Sequence, residues 1–268
     1  MALDRTQLRP VDYPGLVRLG LPRDGGYVVP ATEVRTATVL LSLGINQDWS
    51  FDRAFVEANP RARVIGVDHS VGAALFARQI AENLINIPRD RLRNRRHVRK
   101  DIAVLRNSLD YFLFFRGRHR HIRKRVARHD SASTISVASL CDMARASGRT
   151  VFLKMDVEGA EYDLIADIVG CEASVHRLVA EFHAISKRTD AFNRSVAQLL
   201  EHFRIVHIHG NNYSSYDAAN DFPNAVEITF VHRAIFEGPP VLSARDYPRA
   251  GLDLPNLPRR PDYPLHFE

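Results

Sequence analysis

Thr38 to Asp68 reads TVLLSLGINQDWSFDRAFVEANPRARVIGVD, and this stretch decides the fold. TVLLSLGI (38–45) is a short apolar run with β-branched content that closes on Gly44, which predicts a buried strand followed by a turn. In the segment SFDRAFVEANP, Ser50 is placed to cap a helix whose apolar positions Phe51, Ala54, Phe55 and Ala58 share one face. RVIGVD (63–68) is then a second strand, ending in an acid. Strand, glycine turn, helix and strand within about 30 residues make a βαβ unit.

Working outward, the alternation repeats. Residues 71–86 predict a helix and HVRKDIAV (97–104) a weaker third strand that carries Asp101 near its end. Residues 105–130 break the rhythm, because the aromatic cluster Tyr111 to Phe115 runs into RGRHRHIRKRVARH, and they read as an insertion or a lid. Beyond them lie helix 136–147, strand VFLKMDVE (151–158), helix 159–170 closed by Gly170, strand HRLVAEFH (176–183) and helix 189–203. RIVHIHG (204–210) and AVEITFVHR (225–233) have no helix between them, so they are expected to pair antiparallel. The expected fold class is α/β, three layers around a mostly parallel sheet with one reversed strand. Right-handed crossovers place the end of the first strand at the topological switch point, where ligands bind. The expected organisation is an N-terminal flap (1–37), a core domain (38–237) and a tail (238–268). Seven of the 14 prolines fall in that tail, so it is expected as an extended wrap or a partly disordered segment.

Composition narrows the function. With 268 residues, 45% hydrophobic and 25% charged, the chain can bury one large core and is not disordered throughout. No apolar run approaches the roughly 18 to 20 residues that span a bilayer, and the charged start MALDRTQLRP is unlike a signal peptide, so a soluble, cytoplasmic protein is expected. Cys141 and Cys171 have neither CxxC nor metal-ligand spacing, which argues against a disulfide scaffold or a zinc–thiolate site. Charge is uneven. Residues 89–129 carry 15 Lys/Arg against 3 Asp/Glu, whereas the rest of the chain carries 22 against 28. The basic segment is therefore either a solvated insertion or a docking surface for an anionic partner.

Two groups of residues carry the chemistry. At the first strand's end, Gly44 lets backbone approach a ligand, and Asp68 ends the second strand where a carboxylate accepts hydrogen bonds from both ribose hydroxyls. The loop SLGINQDWS lacks GxGxxG and contains Asp48, an acid that suits a cationic sulfonium or amino group better than a pyrophosphate. That points to S-adenosylmethionine rather than NAD, with Ser50 beside the site and Asp101 placed to reach an adenine amino group. The second group lies at the later strand ends. LKMDVEGAE supplies Asp156 and Glu158, with Glu161 in the following helical turn; Glu181 and His183 end the next strand. His207, His209, Asn211 and Asn212 follow the strand after that, and Glu227 opens the reversed one. Acids at a helix N-terminus can serve as caps alone. So many Asp, Glu, His and Asn at one sheet edge read more economically as a polar catalytic pocket.

LKMDVEGAEYDLI, preceded by SLGINQDWSFD and VIGVD and followed by VAEFH, HIHGNNY and VEITFV, resembles FkbM-type S-adenosylmethionine-dependent methyltransferases. It is most similar to the methyltransferase-like subgroup that carries RDGGYVV near its start. The resemblance covers residues 20–235 and implies the Rossmann-like class I methyltransferase fold, a seven-stranded sheet ordered 3-2-1-4-5-7-6. It also implies O-methylation of a sugar or related hydroxyl. By motif position, Gly44, Asp68 and Asp101 would hold the cofactor and Asp156 would lie near methyl donor and acceptor. Glu158, His183, His209, Asn211 and Glu227 would line the acceptor side, and Asp24 to Tyr27 would cover the pocket.

In-line methyl transfer needs two aligned groups and a base for the hydroxyl proton. His183 is the first expectation for that base, oriented by Glu181 or Glu158, and His209 the second. Alternatively Asp156, Glu158 and His183 bind a divalent cation that polarises a sugar diol; mixed N/O ligands would accept Mg, Mn or Zn. The basic segment raises a nucleic-acid methyltransferase as the rival function. Aromatic residues are not interleaved among its arginines, which disfavours it. A noncatalytic cofactor-binding protein is the third alternative.

Overall fold

A computed structural model describes residues 2–90, 95–147 and 150–267; positions 91–94 of the basic segment and position 268 of the tail lie outside the described residues. The N-terminal extension forms a hairpin, β1 (Leu16–Leu19) and β2 (Tyr27–Pro30), and helix α1 (Ala31–Thr36). The βαβ unit follows as β3 (Val39–Leu43), α2 (Ser50–Ala58) and β4 (Arg63–Val67). Helices α3 (Ala73–Asp90) and α4 (Arg95–Phe114) pack on one another and lead to β5 (Arg120–Ile122), then to the short pair β6 (Arg125–Ala127) and β7 (Thr134–Ser136). Next come α5 (Val137–Ser147), β8 (Val151–Met155), α6 (Glu161–Val169), β9 (Val175–Phe182), α7 (Thr189–His202) and β10 (Phe203–Gly210). The two-residue strands β11 (Tyr216–Asp217) and β12 (Phe222–Pro223) precede β13 (Val226–His232).

Seven strands make one sheet in the order β5-β4-β3-β8-β9-β13-β10. The pairs β3/β4, β3/β8, β4/β5 and β8/β9 are parallel, and β13 runs antiparallel to both β9 and β10. Renumbered along the sheet strands alone, this is 3-2-1-4-5-7-6, the class I methyltransferase fold. Period-two alternation divides the strands cleanly. Leu41, Leu43, Ile65, Leu153 and Leu178 face a layer holding Leu140, Leu164 and Val196. Leu40, Val64, Phe152 and Val179 face another holding Val34, Phe55 and Phe76. The C-terminal ends of the parallel strands and the start of the antiparallel β13 therefore share one edge.

Two expectations need correction, and the two forms left open for the tail are narrowed to one. HVRKDIAV is not a strand: Val98, Ile102, Leu105, Ser108 and Tyr111 recur at helical spacing, and residues 95–114 form one helix of 20 residues. An eight-residue window sees the alternation and misses the longer period. Asp101 accordingly sits in α4, off the sheet edge. The segment read as an insertion instead contributes the sheet's edge strand, β5, whose Arg120, His121 and Ile122 pair with Ile65, Gly66 and Val67. The proline-rich tail is an ordered wrap. Asn212 Nδ2 donates to the carbonyls of Leu257, Arg260 and Pro261, and its Oδ1 accepts the Leu257 N–H at 2.7 Å. Leu242 bridges Val11, and Tyr247 bridges Leu265.

Asn212 is fully buried. Asn212→Ala removes four part-buried hydrogen bonds between the sheet edge and the tail, so it is expected to cost about 2 kcal/mol and lower the melting temperature by roughly 4–8 °C. Calorimetry that finds the transition within about 1 °C of the parent would contradict this account of the tail.

Candidate functional site

A cavity of about 420 Å³ opens at the switch point, a size suited to a small-molecule ligand. Gly44, Ile45, Asn46 and Asp48 line it from the loop after β3, and Val67, Asp68, His69 and Ser70 from the end of β4. Lys124, Arg125 and Val126 contribute from the chain after β5, Lys154 to Ala160 in part from β8 and its turn, and Asp24, Gly25 and Tyr27 from the N-terminal hairpin.

Gly44 is needed for a reason other than ligand approach. Its φ is +79°, and a Cβ built there would lie 1.6 Å from the Asp156 carbonyl oxygen. The Asp156 N–H donates to the Leu43 carbonyl at 2.9 Å, so the ends of β3 and β8 are locked edge to edge. Asp68 holds the neighbouring loop. Its Oδ2 accepts the N–H groups of Ile45 (3.1 Å) and Asn46 (2.8 Å), and its Oδ1 accepts the Ser70 N–H and hydroxyl. Burial works to raise the Asp68 pKa, but these hydrogen bonds outweigh it and hold the carboxyl below its ordinary value. Ser50 is the first residue of α2, not its cap, and its N–H donates to Asp48 at 2.8 Å. Ser50 Oγ is buried without a partner, and its neighbour Phe51 lines the cavity instead.

The second half of the site gathers around Asp156. Its Oδ2 accepts the Tyr27 hydroxyl at 2.9 Å and lies 3.8 Å from Lys154 Nζ, which donates to the Gly44 carbonyl at 2.7 Å. Lys154 also stands over the Tyr27 ring, 5.4 Å from its centroid. Beside Lys154 is Asp52, buried with both oxygens unpartnered; desolvation pushes its pKa up to about 6 despite the ammonium. Asp156 Oδ1 faces His183 Nε2 at 4.0 Å. That ring nitrogen also lies 3.4 Å from Glu181 Oε1 and 3.7 Å from Glu158 Oε2, while Nδ1 meets the buried Glu161 at 2.8 Å. Glu158 takes φ +53°, a left-handed conformation for a residue with a Cβ, and its side chain stands in solvent.

Carboxylates dominate this cluster and set its protonation. Burial disfavours a charged His183, yet hydrogen bonds to Glu161 and Glu181 and their charges push its pKa up to about 11. These partners favour the imidazolium form of His183, which weighs against the neutral base expected from the sequence. Desolvation and the charges of Asp156 and Glu227 raise Glu181 to about 7, and burial with Asp156, Glu181 and Glu227 raises Tyr27 well above its ordinary value. Asn211 Nδ2 donates to Glu181 Oε1 at 2.6 Å, as its place after β10 allows. Asp24, Glu181 and Glu227 each bring an oxygen within 4.8 Å of the others, as do Glu158, Asp156 and His183 with their own ligand atoms. Asn256 of the tail donates to Glu227 (2.6 Å) and Asp24 (3.3 Å), fastening hairpin, sheet and tail together.

His209 does not join the cavity. Its Nδ1 meets Glu227 at 3.4 Å, its Nε2 meets Asp262 of the tail at 2.9 Å, and it is 1% exposed. Both nitrogens are occupied and the tail covers them, which removes it as a base. His207 is likewise taken by Asp253. Sequence reading missed Lys154, Tyr27 as a site hydroxyl, and Glu161 as the partner of His183. Lys154 had a signal, a cation inside the apolar run VFLKM. The tail residues Asn256 and Asp262 had none.

No protein-family model matches the sequence, and no curated protein matches it. Among solved structures the chain is similar to a Methanococcus jannaschii fibrillarin pre-rRNA processing protein, at 8% identity and TM-score 0.39 over 75% of this chain and 68% of that one. It is also similar to a precorrin-6y C5,15-methyltransferase from Geobacter metallireducens, at 13% identity and TM-score 0.37 over 75% and 82%. A third is the mitomycin 7-O-methyltransferase MmcR, at 12% and 0.32 over 75% and 53%. These likenesses are distant, and the fold rests on the strand order and register given above.

The His183 environment fixes the sign of a pH effect. A folded pKa of about 11 lies above the ordinary 6.5, so the ring's contribution to stability is complete below about 6.5 and is lost as pH rises through about 11. The ring-proton NMR signals of His183 are expected to stay in the imidazolium position from roughly pH 6 to 8. A titration centred near the ordinary value would contradict the arrangement.

Proposed function

We propose that this protein is an S-adenosylmethionine-dependent O-methyltransferase of the FkbM type acting on a hydroxyl of a sugar, glycan or related small molecule. The observation that carries the reading is one cavity with two chemically distinct ends. One end presents Asp68 and the glycine loop, where ribose hydroxyls take the place of the Ser70 hydroxyl as donors to the Asp68 carboxylate. The other presents Asp156 among acids that outnumber their cationic partners. Burial first, and neighbouring carboxylates after it, raise the pKa values of Asp24, Glu181 and Tyr27, so a cation brought to this end would favour their charged forms. The sulfonium and amino groups of S-adenosylmethionine supply such charge, and the cofactor, when bound, supplies the methyl group.

In this mechanism Asp156, which lines the cavity, takes the hydroxyl proton of the acceptor as the new bond forms. Tyr27 and the His183 imidazolium face its two oxygens and orient the carboxylate. Glu161 and Glu181 hold His183 in turn, and Asn211 holds Glu181. Lys154 keeps Gly44, Tyr27 and Asp156 in register. A second reading places a divalent cation on Asp156, Glu158 and His183, favoured by ligand atoms within 4.8 Å of one another. Loss of methyl transfer on chelation, with recovery on adding Mg or Mn, distinguishes it from the metal-free reading. Among the described residues no helix is long and apolar enough to cross a membrane.

Two substitutions test the proposal. Asp68→Ala is expected to weaken S-adenosylhomocysteine binding by at least about 100-fold in calorimetry, since it removes both the ribose acceptor and the anchor of the loop; unchanged affinity would overturn the cofactor assignment. Asp156→Asn is expected to retain that affinity within a few-fold and lower kcat by about 10² to 10⁴. Parental turnover in that variant would exclude Asp156 as the proton acceptor.

A further inference from the structure

A second cavity, about 370 Å³, lies away from the switch point, between the β4–β5 edge of the sheet and α5. Arg63, Arg118 and Arg120 line it, with Ile65, Met143 and Ala146 as apolar walls. The register explains the convergence. Ile65 pairs with Arg120 in a parallel ladder and Arg63 lies two residues back on β4, while Arg118 stands in the turn that leads into β5. Residues two apart on a strand share a face, which puts Arg63, Ile65 and Arg120 on one face, and Arg118 joins them from the turn in lining the cavity with Met143 and Ala146 of α5.

Like charges directly opposite one another on neighbouring strands are destabilising. Here no Asp or Glu lines the cavity, and none forms an ion pair with any of the three among the described residues. Other arginines of the chain are paired: Arg53 with Asp110, Arg145 with Asp142 and Arg177 with Glu33. Guanidinium groups are planar forks that match phosphoryl oxygens two at a time. A concave wall of low dielectric also concentrates their field.

We propose that this cleft is a binding site for a small phosphorylated ligand carrying at least two negative charges, its phosphoryl oxygens held by Arg63, Arg118 and Arg120 and its apolar part resting on Ile65, Met143 and Ala146. The site is separate from the cofactor cavity. Arg63 and Arg120 open their strands, whereas Asp68 and Asp156 follow the opposite strand ends. The proposal stands on charge and concavity and is independent of the methyl-transfer reading. It gives the basic segment a defined role at two of its arginines, in place of a diffuse docking surface.

The experiment is calorimetric titration of the full chain with inorganic pyrophosphate, before and after Arg118→Gln/Arg120→Gln. These side chains are exposed and unpaired, so the variant is expected to fold as the parent does. Pyrophosphate is expected to bind the parent with a submillimolar constant that weakens as salt rises. The double substitution should cut that affinity by about tenfold or more while S-adenosylhomocysteine affinity stays within about twofold of the parent. Equal pyrophosphate affinity in parent and variant would overturn the proposal, as would no binding to either. Two further arms use a single-stranded RNA oligonucleotide and phosphatidylserine vesicles. Binding of either through the same arginines, with no pyrophosphate binding, would assign the cleft to a macromolecular surface and also overturn it.

Discussion

The architecture of the site depends on how closely the ends of β3 and β8 approach. The Asp156 carbonyl occupies the space where a side chain on residue 44 would stand, and the Asp156 N–H is bonded to Leu43. That contact does two things at once. It fixes the turn that opens the cavity, and it sets the direction in which the Asp156 carboxylate leaves the sheet. A glycine expected to admit a ligand thus admits a neighbouring strand, and the ligand space is the consequence. Lys154 reinforces the same junction from below, donating to Gly44 while facing Asp156 and Tyr27.

Electrostatics then determine which groups can act. A histidine among several carboxylates in a half-buried pocket is favoured in its charged form, which suits it to orient and compensate. In the proposed mechanism the proton-accepting part therefore falls to Asp156, a carboxylate that lines the cavity. Burying this much negative charge would be unfavourable without compensation. The chain provides some through His183, His209 and Lys154, and the raised values at Asp24 and Glu181 mark what is left over. Complementarity to a cation is therefore a property of the folded pocket. It does not require any one residue to be the decisive ligand.

Much of the fold was legible because the sheet's strands carry strong local signals. β3, β4, β8, β9, β10 and β13 are buried apolar runs, and the missing helix between the last two revealed the reversed strand. β5 was not legible. It is three residues long, reads Arg-His-Ile and is at most half-buried, so neither hydrophobicity nor alternation marks it. Its absence from the reading led HVRKDIAV to take its place and carried Asp101 with it. The site was legible in its residue types and in the edge they share, since strand ends follow from topology. Partnership was not: whether His183 is neutral or charged depends on Glu161 and Glu181 meeting its two ring nitrogens, and whether His209 is open depends on Asp262, 53 residues later in a segment without periodicity.

The most direct test of the account is a crystal structure of the protein with S-adenosylhomocysteine. The account predicts the ribose hydroxyls within hydrogen-bond distance of Asp68 and the sulfur directed toward Asp156 and Tyr27, with His183 beyond them. A nucleoside bound elsewhere, or one whose sulfur points away from Asp156, would contradict it.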